Sequence, residues 1–350
     1  MKSPTLNDVA RHAGVSYATA DRVVNRRGNV AAKSVQKVEQ AVASLGYVRN
    51  LAAANLARGR MPRLAFLLPS GANDFFAEMR RHIATQARHL AKAKIAIDVH
   101  EVDAFAVEAL SARLKSLAAE GYDGLAIVGL ADPGLAPDLA ALRDAGTAVL
   151  SLVSDLPQAG RAAYVGIDNR VAGAMAARFI GMAHGGAPGR VQIVAGSLQA
   201  ADHADRLAGF LGVLRADFPG LTCAPLLEAR DDPRLLEQGL LARLAKEGEI
   251  TAIYSLGAGT EGLLAALAAH PARDRPRPLY CIAHELTPLT RQALQEGRID
   301  LVIDQRPDIE VQRAVTLLRA LADGQPLPPF PVHTPTIYLR DNLPPAGAAL

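Results

Sequence analysis

Short apolar runs alternate with stretches of helical periodicity through most of the chain. Apolar runs bounded by turn residues are typical of buried strands. The predicted strands are Leu64–Leu68, Ile95–Val99, Leu125–Val128, Ala148–Leu152, Tyr164–Ile167, Val191–Val194, Ala224–Leu227, Ile250–Ser255, Leu279–Ala283 and Leu301–Ile303. The predicted helices are Phe75–Leu90, Val107–Ala119, Asn169–Met182, Asp202–Arg215, Pro233–Lys246, Thr260–Ala269 and Asp308–Ala322.

This alternation predicts an α/β fold in which parallel sheets carry helices on both faces. The strands are too many for one compact sheet, so we expect a doubly wound domain with two lobes. Ligands in such folds bind beyond the carboxyl ends of the strands. Polar residues where a strand passes into a helix are therefore the first candidates for a binding site.

The first 50 residues follow a different pattern, that of three short helices. Thr5 opens a capping pattern and predicts a helix that stops at Gly14. Ser16 caps a second helix after a tight turn, and a third helix is predicted over Ala32–Leu45. Two short helices joined in this way are typical of a helix-turn-helix, whose second helix enters the major groove of DNA.

The charge distribution supports a separate head. The formal net charge is +3, but the first 60 residues carry ten basic and three acidic side chains, a net charge of +7. The remaining 290 residues therefore carry a net charge of −4. A basic head on a slightly acidic body favours a module that binds a polyanion. The alternative interpretation is that these basic side chains only form a solvated helical face.

Composition excludes several other classes of protein. A hydrophobic fraction of 50% excludes a mostly disordered chain, and no apolar stretch approaches the roughly 20 residues that span a bilayer. The N-terminus lacks the apolar core of a signal peptide. Cys223 and Cys281 are too few for a disulfide framework or a zinc site. We therefore expect a soluble, cytoplasmic protein without a metal or cofactor.

The head closely resembles that of the lactose-repressor (LacI) family of transcription regulators. The matching strings are Leu6–Asn25, Ala43–Asn50 and Ala54–Ala57, with Lys33. The resemblance implies that Tyr17, Ala18 and Arg22 face the bases, that a hinge helix follows Asn50, and that Leu56 is a wedge in the minor groove. Arg22 can donate to the acceptors of guanine. The expected DNA-binding residues are Thr5, Ser16, Tyr17, Ala18, Arg22, Asn25, Lys33, Asn50 and Leu56.

The body resembles the sugar-binding fold of periplasmic binding proteins, in the ribose-binding branch. The strings Arg206-x-x-Gly-Phe210 and Asp304-Gln-x-Pro307 carry this resemblance. It implies an effector pocket formed by Phe75 or Phe76, Asp155, Arg206, Glu285 and Gln305, with Asn73, Asn169 and His284 as weaker candidates. Carboxylates, amides and an arginine suit sugar hydroxyl groups, which both donate and accept.

Each pocket candidate also has a structural interpretation. Phe75 and Phe76 could both be core residues, Arg206 could form a surface ion pair, and Glu285 could cap the helix that begins near Thr287. Asp168 is expected to cap the following helix, and His284 to be a satisfied junction residue.

We thus predict a helix-turn-helix head over residues 1–49, a hinge and linker over 50–62, a two-lobed effector and dimerisation domain over 63–340, and a tail over 341–350. The expected function is that of a homodimeric repressor that binds a pseudo-palindromic operator and responds to a neutral sugar or polyol. The alternative is an activator or co-repressed regulator that responds to a sugar acid or phosphate. An enzyme is disfavoured, because the chain lacks a nucleophile elbow and a P-loop. A free sugar-binding protein is disfavoured by the head.

Overall fold

The computed structural model describes residues 4–24, 30–47, 61–71, 73–156, 160–246, 250–257, 259–270, 279–329 and 333–345. The chain divides into two compact units, residues 1–62 with 319–329 and residues 63–318 with 330–350. The expected DNA-binding residues Asn25, Asn50 and Leu56 lie outside the described residues.

The head contains three helices at the predicted positions, α1 (Leu6–Ala13), α2 (Tyr17–Val24) and α3 (Ala32–Leu45). Thr5 and Asp8 form a capping box at the start of α1. The hydroxyl oxygen of Ser16 accepts from the Thr19 N–H at 3.1 Å at the start of α2. A small core joins the three helices, formed by Val9, Ala10, Ala13, Ala20, Val38 and Ala41. The helices are short, so this shared core is what stabilises them.

The first lobe of the body is a parallel sheet with the strand order β2-β1-β3-β4-β5. Its strands are β1 (Arg63–Pro69), β2 (Ala96–Val102), β3 (Gly124–Ile127), β4 (Ala148–Leu152) and β5 (Ala163–Val165). Its helices are α4 (Asp74–Ala91), α5 (Val107–Glu120) and α6 (Ala136–Asp144). Strands β1 and β3 are almost fully buried, as expected of parallel strands with helices on both faces.

The second lobe is a larger sheet with the strand order β12-β11-β10-β9-β6-β7, and β8 also pairs with β6. Its strands are β6 (Gly189–Ala195), β7 (Leu221–Cys223), β8 (Leu227–Glu228), β9 (Ala252–Ser255), β10 (Tyr280–His284), β11 (Leu301–Asp304) and β12 (Thr336–Tyr338). The helices that begin in this half of the chain are α7 (Asn169–His184), α8 (Ala201–Asp217), α9 (Pro233–Lys246), α10 (Thr260–Ala269), α11 (Pro288–Gln295) and α12 (Pro307–Ala322).

Some elements differ from the prediction. The strand expected over Ala224–Leu227 is wrong, because the chain pairs on either side of Pro225 instead, as β7 and β8. Proline has no N–H to donate to a sheet. Helix α6 and strand β12 were not predicted, and β12 is antiparallel to β11. In the described part of the chain, no helix is long and apolar enough to cross a membrane.

The chain passes repeatedly between the two lobes. It leaves the first lobe after β5 and enters the second at α7. After β11 it returns, because Leu318 of α12 packs on β3 at Gly124. It then enters the second sheet again as β12. At the crossing, Ile167 pairs with His333, and the His333 ring lies 2.7 Å from the carbonyl oxygen of Gln305. The crossing segments therefore contact one another and form a single hinge.

Helices α7 and α8 pack with their backbones in close approach. A methyl group at Gly173 of α7 would overlap the backbone carbonyl of Arg206 in α8. Reciprocally, a methyl group at Gly209 of α8 would overlap the backbone carbonyl of Arg170. These two glycines therefore set the distance between the helices, and this distance fixes where the backbone of Arg206 lies.

Gly173→Ala is expected to destabilise the protein by about 1–3 kcal/mol, because overpacking must separate α7 from α8. Gly212→Ala is the matched control, since Gly212 also lies in α8 but has no atom within 4 Å of the added methyl group. Its greater helix propensity should make this variant neutral or more stable by up to about 1 kcal/mol. Urea unfolding of both variants measures the difference, and equal midpoints would contradict the close-packing argument.

Candidate functional site

A cavity lies between the two lobes and encloses about 680 Å³ including its mouth. The cavity lies at the carboxyl ends of the strands, as expected for this fold class. Glu285 and Gln305 follow β10 and β11, Asp103 follows β2, and Val128 follows β3.

Arg206 lies in the second turn of α8 and is almost fully buried, with 1% of its surface exposed. Its Nε donates to the Asn169 side-chain oxygen at 2.8 Å, and its Nη1 donates to the Leu256 carbonyl at 2.6 Å. The third nitrogen, Nη2, has no hydrogen-bond acceptor in the part of the chain that the structure describes, and it lies 3.6 Å from Glu285 and 4.0 Å from Asp202. Two nitrogens thus hold the guanidinium group in place, and the third remains for a ligand.

Glu285 and Gln305 form a hydrogen-bonded pair in the cavity wall. The Gln305 amide donates to one Glu285 oxygen at 2.7 Å, and both residues are buried. Burial raises the pKa of Glu285 to about 8, although Arg206 acts in the opposite direction. Glu285 does not cap the following helix, because Thr287 does so. The carboxyl group of Glu285 therefore remains available to the cavity.

Phe75 and Phe76 both line the cavity, at the start of α4. Their rings make an edge-to-face contact with centroids 5.1 Å apart, and both are buried. The structure therefore combines the two interpretations, since each ring contributes to the core and to the cavity wall. A third aromatic ring that was not predicted, Phe105, also lines the cavity.

The structure does not bring Asp155 to this cavity. Both of its oxygens accept from Arg161, at 2.6 and 2.7 Å, and it lies in a separate groove with Asp168 and His333. Arg161 is only six residues away, so a local ion pair satisfies the carboxylate. Asp168 accepts from the Val171 N–H and caps α7, as predicted.

His284 is a junction residue rather than part of the cavity wall, but it is not fully satisfied as predicted, because its buried Nδ1 has no partner among the described residues. Its Nε2 lies 2.9 Å from the Tyr254 hydroxyl. Burial, followed by Arg206, lowers its pKa well below the ordinary value, so the ring is neutral near pH 7. It does not supply a second cation next to Arg206.

Several residues of the cavity wall were not predicted from the sequence, namely Asp103, Ser154, Asp202, His203 and Asp231. Asp202 and His203 lie one helical turn before Arg206, so the periodicity of α8 places all three on one face. Asp103 directly follows β2. Asp231 has a φ of 60° in a loop, which the sequence does not signal.

The lobes contact each other around the cavity. The Asn73 amide of the first lobe donates to Asp231 of the second at 3.1 Å. The Ala201 N–H of the second lobe donates to the Ser154 hydroxyl oxygen of the first, also at 3.1 Å. The structure therefore shows the cleft closed. Among the described residues, no group of His, Cys, Asp or Glu is placed to hold a metal ion.

The head presents a second candidate surface. Six of the expected DNA-binding residues are described, and all six are exposed: Thr5, Ser16, Tyr17, Ala18, Arg22 and Lys33. Tyr17 is exposed over 52% of its surface, although it is a large ring at the start of a helix. Ala20, about one turn further along α2, is fully buried. Helix α2 thus carries an exposed surface with polar side chains and an aromatic ring.

Comparison with known families divides the chain in the same way. Residues 64–326 match the family described as periplasmic binding protein domain. Residues 5–50 match the family described as bacterial regulatory proteins, lacI family. The head and the body thus each match a family of their own.

Relatives of known function align with only part of the chain. The lactose operon repressor of Escherichia coli is 37% identical over 127 residues, which cover 36% of this chain and 34% of that repressor. The HTH-type transcriptional regulator GntR of Pseudomonas aeruginosa is 49% identical over 75 residues, which cover 21% of this chain and 22% of that regulator. The aligned stretches therefore span about a third or less of these relatives.

Solved structures resemble this chain over about 80% of its length. An ABC transporter solute-binding protein from Burkholderia graminis, in complex with D-arabinose, has a TM-score of 0.72 and 25% identity over 80% of this chain and 96% of that chain. GanP, a glucose-galactose binding protein from Geobacillus stearothermophilus, has a TM-score of 0.70 and 23% identity over 81% and 99%. The two-lobed fold predicted from the sequence is thereby confirmed.

The raised pKa of Glu285 predicts a pH dependence of stability. The folded protein keeps a proton that an unfolded chain, with a glutamate pKa of about 4.3, releases. The contribution of the Glu285 carboxyl group to the free energy of unfolding is thus fully present below about pH 4 and is lost as pH rises to about 8. Glu285→Gln cannot ionise, so its stability relative to wild type should rise over this range, by at most about 1.4 kcal/mol per pH unit.

Calorimetric unfolding between pH 5 and pH 8 measures this difference, with Glu108→Gln as the control at an exposed glutamate. A difference between wild type and Glu285→Gln that stays constant with pH would show that Glu285 is already ionised in the folded protein.

Proposed function

This chain belongs to the periplasmic binding protein domain family and carries a lacI-family head, and we propose that it is a transcription repressor controlled by a neutral sugar or polyol. The observation that carries the effector part is a buried cavity in which carboxylate and amide oxygens surround a single arginine. The basic, exposed face of the head supports the DNA part.

DNA recognition would use the second helix of the head. Arg22 and Tyr17 are exposed on α2 and can reach base edges, whereas Lys33 and Lys37 on α3 suit phosphate contacts. A dimer would place two such helices on the half-sites of a pseudo-palindromic operator. In this proposal Asn25 and Asn50 also contact DNA, and Leu56 enters the minor groove. The protein would act as a homodimer in the cytoplasm.

The polar atoms of the cavity favour a ligand rich in hydroxyl groups. Among the described residues of the cavity wall, one oxygen each of Asp202 and Gln305 has no donor, and Nη2 of Arg206 has no acceptor. The second oxygen of Glu285 also lacks a partner, and it can donate when the carboxyl group is protonated or accept when it is ionised. Hydroxyl groups suit this mixture, because each can both donate and accept. The phenyl rings can cover an apolar face of the ligand.

The charge balance disfavours an anionic ligand. Arg206 already faces Asp202 and Glu285 at 4.0 and 3.6 Å, and Asp103 and Asp231 add further carboxyl groups to the wall. A carboxylate or phosphate would be buried beside these groups with one arginine to compensate it, at a cost of several kcal/mol. The D-arabinose in the Burkholderia graminis relative is an uncharged sugar, which supports the same class.

Regulation would follow from closure of the cleft. An effector that contacts both lobes favours the closed arrangement, and closure alters the spacing of the two heads in the dimer. Affinity for the operator and affinity for the effector are then linked, and each changes the other by the same factor.

Arg22→Ala should weaken binding to the cognate operator by about 1–3 kcal/mol and relax the preference for one base pair, because it removes a base contact. Lys37→Ala should weaken binding to cognate and to random DNA by the same factor, because it removes a phosphate contact. The salt dependence of the binding constant should also become smaller. Fluorescence anisotropy at several salt concentrations measures both. Equal losses on cognate and random DNA for Arg22→Ala would contradict its role in reading bases.

Neutral sugars should bind and their charged derivatives should not. The test is calorimetric titration with D-arabinose, D-galactose and myo-inositol, and with the uronic acid and the phosphate ester of galactose. Arg206→Ala should weaken binding of the neutral ligand by about 1–3 kcal/mol, since one charged hydrogen bond is lost. Tight binding of a charged sugar alone, abolished in Arg206→Ala, would show that the arginine holds an anion. The effector class proposed above would then be wrong.

A further inference from the structure

A chain of hydrogen bonds leads from the cavity to the hinge. Arg206 donates through Nε to the side-chain oxygen of Asn169 at 2.8 Å. The amide nitrogen of Asn169 donates in turn to the hydroxyl oxygen of Tyr164 at 3.2 Å. Arg206 and Asn169 are buried. The residue that faces the ligand is therefore joined to Tyr164, which lies outside the cavity, through a single asparagine.

The Tyr164 hydroxyl contacts the segments that must move when the cleft opens. It lies 2.9 Å from the carbonyl oxygen of Val153, which lines the cavity on the first lobe. It lies 3.1 Å from the carbonyl oxygen of Ile167, in the crossing segment. Its one hydrogen can be donated to either carbonyl, while its oxygen accepts from Asn169 at the start of the second lobe. One hydroxyl thus touches both lobes and the hinge.

The carbonyl of Val153 belongs to a strained turn. Val153 has a φ of 63°, which is an outlier for a β-branched residue and costs on the order of a few times the thermal energy. Such a conformation persists only where its surroundings hold it. The next residue, Ser154, accepts the Ala201 N–H of the second lobe. A donor at the Val153 carbonyl therefore stabilises a turn that exists where the two lobes meet.

The directions of these bonds fix the orientation of Asn169. Its oxygen must face Arg206, which can only donate, and its nitrogen must face an acceptor. The Tyr164 oxygen is that acceptor. Without it, the amide could rotate and place its N–H₂ group against the guanidinium N–H, where two donors would meet. The tyrosine hydroxyl thereby determines whether the acceptor for Arg206 is in place.

We propose that Tyr164 and Asn169 are positioning residues that orient Arg206 toward the ligand only when the crossing segment and the first lobe are in their closed arrangement. This inference rests on the proposed function only for the identity of the ligand. When the cleft opens, Asn169 at the start of the second lobe moves away from Tyr164 of the first lobe, so the Asn169 amide loses its acceptor and no longer holds Arg206. Ligand affinity and cleft closure then depend on the same hydrogen bonds.

The test is a double-mutant cycle that needs no ligand. Tyr164→Phe deletes the hydroxyl and keeps the ring, and Arg206→Met removes the guanidinium group. We expect Tyr164→Phe to lower the unfolding temperature in wild type and to have less than half of this effect in the Arg206→Met background. Tyr280→Phe is the matched control, because its hydroxyl donates to the Ala183 carbonyl at 3.0 Å away from the cavity. Its effect should be the same in both backgrounds.

Nitrogen-15 NMR of the full chain gives a direct signature. The Nε–H proton of Arg206 should exchange slowly with water in wild type and at least about tenfold faster in Tyr164→Phe. Asn169→Asp keeps an acceptor for Arg206 but has no donor for Tyr164. In that variant the Nε–H should stay protected, and Tyr164→Phe should no longer change its exchange.

The outcomes separate this inference from the proposed function. With D-arabinose as the probe, affinity should fall in Tyr164→Phe and stay unchanged in Tyr280→Phe. Failure of every neutral sugar to bind wild type would contradict the proposed effector class, while the cycle and the exchange rates would still decide the role of Tyr164. Equal effects of Tyr164→Phe in both backgrounds, with unchanged exchange at Arg206, would show that Tyr164 only packs, and would overturn the inference.

Discussion

The burial of one guanidinium group is the constraint on which the binding domain depends. Removing a cation from water costs several kcal/mol unless other groups replace its hydration. For Arg206 these groups are the Asn169 oxygen and the Leu256 carbonyl, with Glu285 nearby. They come from α7 and from the ends of β9 and β10, so the charge is satisfied only when these elements are assembled. The close approach of α7 and α8 at Gly173 is needed for the same reason, because it fixes where the backbone of Arg206 lies.

The same charge explains the acidic character of the cavity. Arg206 faces both Asp202 and Glu285, at 4.0 and 3.6 Å. Burial raises the pKa of Glu285, and the Asp304 and Asp202 carboxyl groups add to this shift. The cavity wall therefore holds both unpaired acceptors and unpaired donors, and its ligand has to match them. Specificity then comes from unsatisfied protein atoms, because a ligand without matching hydroxyl groups leaves them buried and unpaired.

The sequence predicts the fold better than the cavity wall. Helix boundaries were accurate where a cap or a glycine marks them, as at Thr5 and Gly46. The strand over Ala224–Leu227 failed, because hydrophobicity outweighed the missing N–H of Pro225 in the prediction. In the cavity, Arg206, Glu285 and Gln305 could be placed through the resemblance to periplasmic binding proteins. Asp155 follows a strand as well, yet a local arginine takes it away from the site, and Asp231 reaches the cavity through a loop conformation that no pattern encodes.

The return of the chain to the first lobe has a consequence for biosynthesis. Helix α12 packs on β3 through Leu318, so one face of the first sheet lacks its cover until nearly two hundred residues after β3 have been translated. Until then the nascent chain exposes an apolar surface of Leu64 and its neighbours, which are fully buried in the finished protein. The first lobe can therefore be completed only after Leu318 has been translated, although most of its residues precede those of the second lobe.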